Sequence, residues 1–229
     1  MRTSVASLPL LGCLCLAGPA LSLTIDNFEQ GDFNVVDVAP GPTLGQQSGL
    51  AGANVIGGVR LVRANATNGG TTTASLTTTA GPDGSLVSFA DAAAPFGSGD
   101  VAFLYDGIAD GAFNGVGGAL NLDLSSFATI DVSAAATPGI ADLQLTLWSA
   151  TTSQSSLLTP IVSGTTSFLL GSFGSIDLTD VKAIRLSLFG LDPSDLVDLQ
   201  EISAVPEPST GFLLAIGLAS LALRKTRSR

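Results

Sequence analysis

Between residues 23 and 204, apolar side chains recur at alternate positions in short runs, and Gly, Pro, Asn and Asp separate the runs. A period of two predicts strands with one buried face, and the interruptions are turn chemistry. The clearest run is 142–148, where Leu143, Leu145 and Leu147 share one face and Gln144, Thr146 and Trp148 the other. Residues 183–189 repeat it: Ile184, Leu186 and Leu188 point inward, and Arg185, Ser187 and Phe189 point out. The same reasoning predicts strands at 59–63, 74–79, 85–89, 101–105 and 129–134. Residues 71–79 are dense in threonine, whose branched Cβ favours an exposed strand over a helix. No stretch before Gly211 sustains a helical period. Residues 178–181 predict one tight helical turn entering the next strand. The pattern is that of an all-β antiparallel sandwich.

Both ends depart from it. Residues 1–22 read as a secretory signal peptide: Arg2 is the positive start and 8–17 an apolar core interrupted by Pro9 and Gly12. Small residues allow cleavage after Ala20 or after Ser22, and the second fits better. A lipobox at Leu10-Leu11-Gly12-Cys13 fits less well, because the stretch before it is short. Export makes the Sec translocon and signal peptidase partners. At the other end, Val205-Pro206-Glu207-Pro208 is an extended segment, since proline fixes φ and removes a donor. Residues 211–223 carry no charge and span about 20 Å as a helix. A full crossing takes roughly 20 apolar residues, so a transmembrane helix here is short, helped by snorkelling of Arg224 and Lys225. Arg224, Lys225, Arg227 and Arg229 mark the cytoplasmic side as a membrane stop. Three segments follow: signal peptide 1–22, β-sandwich domain 23–204 and tail 205–229.

Composition narrows the chemistry. Both cysteines, Cys13 and Cys15, lie in the leader, so the exported domain has no disulfide or thiol. Residues 23–204 hold eighteen acidic and four basic side chains, a balance of −14. Such a surface excludes nucleic acid, which needs positive charge, and suits divalent cations or neutral polysaccharides. The chain has no histidine, which removes Ser-His-Asp and Cys-His systems and most zinc sites. A carboxylate-dependent glycosidase is a distant alternative: it needs two acids about 5–10 Å apart, yet the chain has one Trp and one Tyr to stack sugars on.

A few residues stand out as candidates. Asp106-Gly107-Ile108-Ala109-Asp110-Gly111 is an acidic, glycine-rich loop that offers oxygens to Ca²⁺ or simply forms a turn. Trp148 lies on the outward phase of its strand and is, with Tyr105, a candidate ligand contact. Arg60 and Arg63 are three apart on one strand and therefore face opposite sides.

The tail resembles the PEP-CTERM sorting signal of Gram-negative bacteria in its Val205-Pro206-Glu207-Pro208, its apolar stretch and its Arg-rich end. That resemblance implies recognition by an exosortase at or near the Pro-Glu-Pro. It further implies export through the inner membrane, a transient membrane hold, and delivery to an envelope or extracellular matrix rich in exopolysaccharide and biofilm. The domain's ends are similar to galactose-binding-like jelly rolls: Leu23-Thr24-Ile25-Asp26-Asn27-Phe28-Glu29-Gln30-Gly31 opens it and Asp195-Leu196-Val197-Asp198-Leu199-Gln200-Glu201-Ile202 closes it. The likeness implies neighbouring first and last strands and a structural calcium held by Asp26 or Glu29 with Asp198. Two functions follow: a non-enzymatic envelope or matrix protein associated with exopolysaccharide, or a carbohydrate-binding module that recognises it.

Overall fold

The structure is a computed structural model that describes residues 21–38, 41–67, 71–76, 85–89, 98–136, 141–191 and 196–207. Nearly all of the leader, Pro208, the 211–223 segment and the basic stop lie outside the described residues. One folded unit spans Ser22–Glu207. Among the described residues no helix is long and apolar enough to cross a membrane.

Alternation builds two sheets. One runs β12 (Gly164–Leu169), β8 (Phe127–Ala136), β14 (Leu196–Pro206), β6 (Ser85–Phe89), β5 (Thr71–Leu76) and β2 (Phe33–Val38), with β1 (Leu23–Asp26) also against β14. The other runs β10 (Ser153–Ser155), β9 (Asp142–Trp148), β13 (Ala183–Leu191), β7 (Ser98–Tyr105), β4 (Val59–Thr67) and β3 (Thr43–Ser48), with β11 (Thr159–Pro160) against β9. All pairings among them are antiparallel. The chain changes sheet at almost every connection after β6, the jelly-roll-like arrangement of an all-β sandwich.

The two most legible strands are neighbours. Leu143, Leu145 and Leu147 of β9 lie opposite Leu188, Leu186 and Ile184 of β13, and β7 continues the rows with Val101, Phe103 and Tyr105. All nine are buried. Each large side chain so covered contributes about 2 kcal/mol of transfer free energy. The first sheet answers with Ile130 and Val132 of β8 and Val197, Leu199, Ile202 and Ala204 of β14. First and last strands pair, Leu23 opposite Ala204 and Thr24 opposite Ser203.

Three strands escape the alternation rule, and all three are edges. β3 pairs only with β4 and β12 only with β8, so their exposed faces need no apolar pattern. β2 inverts it: Val36 and Val38 are exposed, while Asp37 is buried. The Asp37 carboxylate accepts the Thr43 hydroxyl at 2.9 Å and the Ala66 N–H at 2.7 Å, which offsets its desolvation. The predicted helical turn at 178–181 is a turn without a helix. The Asp180 N–H donates to the Asp177 carbonyl at 3.2 Å, and Val181 is drawn into a bridge with Leu122.

Candidate functional site

Asp26 ends β1 facing the core, where a carboxylate needs partners. Arg60 supplies a fork: Nε donates to Oδ2 at 2.6 Å and Nη2 to Oδ1 at 2.5 Å, both side chains fully buried. The Tyr105 hydroxyl donates to Oδ2 at 2.8 Å and the Phe28 N–H to Oδ1 at 2.8 Å. Nη1 of Arg60 reaches the Gln30 carbonyl at 3.1 Å and Gln47 Oε1 at 2.8 Å, and the guanidinium lies 5.2 Å from the Phe28 ring centroid. Burial alone would lower the Arg60 pKa, but the bonds and charge of Asp26 outweigh it and hold Arg60 above the usual arginine range. Burial, with the Asp26 charge behind it, pushes the Tyr105 hydroxyl well above the usual tyrosine range.

This geometry revises three sequence expectations. Tyr105 is fully buried and offers no ring surface to a ligand. Asp26, Glu29 and Asp198 are not brought together. Asp26 is ringed by donors, and Glu29 is exposed and accepts from Asn27 Nδ2 at 3.0 Å. Asp26 lies opposite Ile202, while Asp198 sits four positions away on β14, roughly 13 Å at the strand rise. Asp106 and Asp110 form two turns instead of one cage. Asp106 Oδ1 accepts the Ile108 N–H at 2.9 Å, and Asp110 Oδ1 accepts the Ala112 N–H at 2.8 Å. Gly107 and Gly111 take φ of 72° and 73° beside them. Burial raises the Asp106 pKa, the Ile108 bond opposes it, and the Asp110 charge adds to it. Among the described residues no cluster of three acidic groups is placed to hold a metal.

The outer face of the second sheet is the richer surface. After β7 the chain folds over that face and returns beside β13, with the Ala119 N–H on the Asp106 carbonyl at 2.6 Å and the Leu122 N–H on the Val181 carbonyl at 2.9 Å. Under this loop lies a small second core of Val59, Leu61, Leu104, Trp148 and Ala183, with Phe113 of the loop against it. Trp148 is therefore 9% exposed: outward in phase but roofed. Gly115 is the reason it fits, because a Cβ there would stand 2.6 Å from the indole.

Beside the loop two arginines share this face. Arg63 of β4 stacks over Phe113, 5.1 Å from guanidinium carbon to ring centroid, and Arg185 of β13 stacks over Trp148 at 5.1 Å. The strand order β4-β7-β13 places only Ala102 between Arg63 and Ser187 across the sheet. Arg185 reaches Thr146 Oγ1 at 3.3 Å through Nη2; its Nε is buried without a partner, as is Ser187 Oγ. Among the described residues neither arginine has a carboxylate at ion-pair distance, whereas Arg60 has Asp26 and Lys182 has Asp180 at 2.7 Å. Burial, and then the Arg63 charge, hold Arg185 below the usual arginine range. The sequence placed Arg185 on an outward phase and Arg63 on the side opposite Arg60. Their meeting depends on strand order, which alternation does not encode. Arg60 shares the phase of Val62 and Ala64, which the fold turns into the main core, while the equally apolar Val59 and Leu61 turn outward under the loop, so sequence alone did not single it out.

A shallow groove of about 460 Å³ opens elsewhere, between β10–β11 and β12. It is lined by Gln154, Leu157, Phe168, Leu169 and several hydroxyl side chains and holds no titratable group.

The sorting segment grows out of the sandwich itself. Val205 and Pro206 are the last residues of β14, opposite Thr129 and Phe127 of β8, and the Glu207 N–H makes a long bond of 3.5 Å to the Ser126 carbonyl.

Residues 204–228 match the PEP-CTERM protein-sorting motif, so the tail directs export and a C-terminal membrane hold that an exosortase resolves. No curated protein matches the chain. Among solved structures the chain is similar to the family 11 carbohydrate-binding module of a cellulosomal cellulase of Clostridium thermocellum. Identity is 11%, the TM-score is 0.36, and the match covers 82% of this chain and 96% of that one. It is also similar to the solution structure of CtCBM11, at 11% identity and a TM-score of 0.39, covering 84% of this chain and 98% of that one. At these values the likeness assigns neither ligand nor site.

Proposed function

We propose that this exosortase substrate is a non-enzymatic protein of the envelope or extracellular matrix that binds exopolysaccharide on the outer face of its second sheet. The observation that supports the reading is the pair of partly exposed arginines there: among the described residues neither Arg63 nor Arg185 has a carboxylate at ion-pair distance, and Arg185 Nε has no partner. Charged groups held partly out of water are usually paired, so two neighbouring arginines without a carboxylate are a place suited to a ligand. The acidic remainder of the domain keeps the protein dispersed during export.

Two measurements test the reading. A chain ending at Glu207 keeps all of β14 but loses the rest of the tail. It is expected to leave the cell envelope unprocessed, and continued membrane retention would contradict the sorting role. A glycan array probed with the processed protein is expected to show polysaccharide binding. Absence of binding both to the array and to the host's own exopolysaccharide would leave display as the protein's only role.

A further inference from the structure

We infer that the Arg63–Arg185 pair is a carboxylate-binding subsite that takes the acidic sugar units of a uronate-containing polysaccharide; the inference rests on the polysaccharide-binding reading of the same face. In a domain with eighteen acidic side chains, a cation has many anions within reach. Arg60 and Lys182 use one each, and Arg63 and Arg185 use none among the described residues. Each of the latter pair is held instead by a ring, Phe113 or Trp148. Stacking fixes a guanidinium by its face and leaves the N–H groups at its edge free.

Donor chemistry then selects the ligand. A guanidinium has five N–H donors and no acceptor. Of the two forks here, one bond is made, from Arg185 Nη2 to Thr146, while Arg185 Nε has no partner. A surface made of donors calls for a group made of acceptors, and a carboxylate matches the planar fork with two parallel bonds. Charge gives the same answer. Two like charges held near each other and partly desolvated cost stability, and the cost falls only when an anion arrives. A neutral sugar hydroxyl accepts a bond but cancels no charge. Ala102 and Ser187, between the two arginines, are covered, so the groups open to a ligand are the partly exposed guanidinium edges of Arg63 and Arg185. The acidic body of the domain does not forbid a polyanion, because at physiological salt its field is screened beyond about 8 Å while the contacts at the subsite are not.

Calorimetry on the full chain in mild detergent tests this with oligogalacturonate, its methyl ester and a neutral β-glucan oligosaccharide. Oligogalacturonate is expected to bind, and its methyl ester, the same sugar without the charge, at least about tenfold more weakly, as losing charged hydrogen bonds requires. Arg63→Gln and Arg185→Gln are each expected to weaken the acid by at least about tenfold and to leave the ester unchanged. Thermal melting of each variant shows that it is folded. Equal binding of acid and ester, or neutral glucan binding that Arg185→Gln does not alter, overturns the carboxylate assignment while polysaccharide binding stands. Stronger binding of a sulfated glycan than of oligogalacturonate overturns it as well. Binding of no glycan of any kind removes both readings.

Discussion

Arg60 decides how the core tolerates charge. A buried carboxylate without a partner loses far more solvation than a strand can return, and here the guanidinium, a tyrosine hydroxyl and a backbone N–H surround Asp26. Removing one partner leaves the other charge stranded. Asp26→Asn is expected to lower unfolding free energy by about 3–5 kcal/mol in urea titration, and Arg60→Met on the same background to recover much of it. A loss below about 1 kcal/mol would mean that the pair contributes little. Tyr105 adds a pH dependence. Its folded pKa is raised, so the folded state keeps the proton after an unfolded tyrosine, near pH 10, has released it. Stability is thus full below about pH 10 and falls as pH rises toward the folded pKa. Tyr105 is the chain's one tyrosine and Trp148 its one tryptophan. Tyrosinate absorbance is therefore expected to rise only together with the loss of native Trp148 fluorescence; tyrosinate near pH 10 with the fold intact would contradict it. Alternation left the facing of Arg60 open, because Val59 and Leu61 on one phase and Val62 and Ala64 on the other are both apolar. Its partner was out of reach of that reasoning, because Asp26 lies thirty-four residues away on a strand of the other sheet.

At the scale of elements, legibility follows burial. β9 and β13 were readable because both of their faces obey a period: one face meets the core, and the other meets the loop that follows β7. Edge strands β2, β3 and β12 were not, since half of each meets solvent and selection for apolar residues there is absent. The loop over the second sheet was seen from sequence as an acidic, glycine-rich stretch for calcium or a turn, not as a cover for Trp148. Its glycines have separate duties that sequence does not rank. Gly115 at φ 64° touches the indole of Trp148, and Gly117 at φ 80° meets nothing within 4 Å. Gly115→Ala is expected to cost about 2–3 kcal/mol, from crowding and from left-handed backbone strain together, and to shift Trp148 emission to the red as the loop lifts. Gly117→Ala carries the backbone strain alone, about 1 kcal/mol, and leaves the emission unchanged. Equal effects at the two positions would show that the loop does not clamp the tryptophan.

The whole domain stands without disulfides, and its central cation is part of the chain. The Asp26 position that resemblance marked for calcium is occupied by a guanidinium, so the melting temperature of the mature protein is expected to be indifferent to EDTA. A fall of several degrees on chelation, reversed by Ca²⁺, would reveal a metal elsewhere in the fold. Fold class and the sorting signal were legible because they rest on local patterns, alternation in the middle and a motif at the end. The proposed binding face was not, because Arg63 and Arg185 are 122 positions apart in sequence and meet only through the order of three strands.

That order has a mechanical meaning for β14. β8 grips one side of this strand along nearly its whole length, while β6 and then β1 take successive stretches of the other. The membrane-held segment continues from its end. A pull on the tail directed along β14 loads the strand's hydrogen bonds together, in shear, instead of peeling them one by one, and that is the direction in which a sheet yields last.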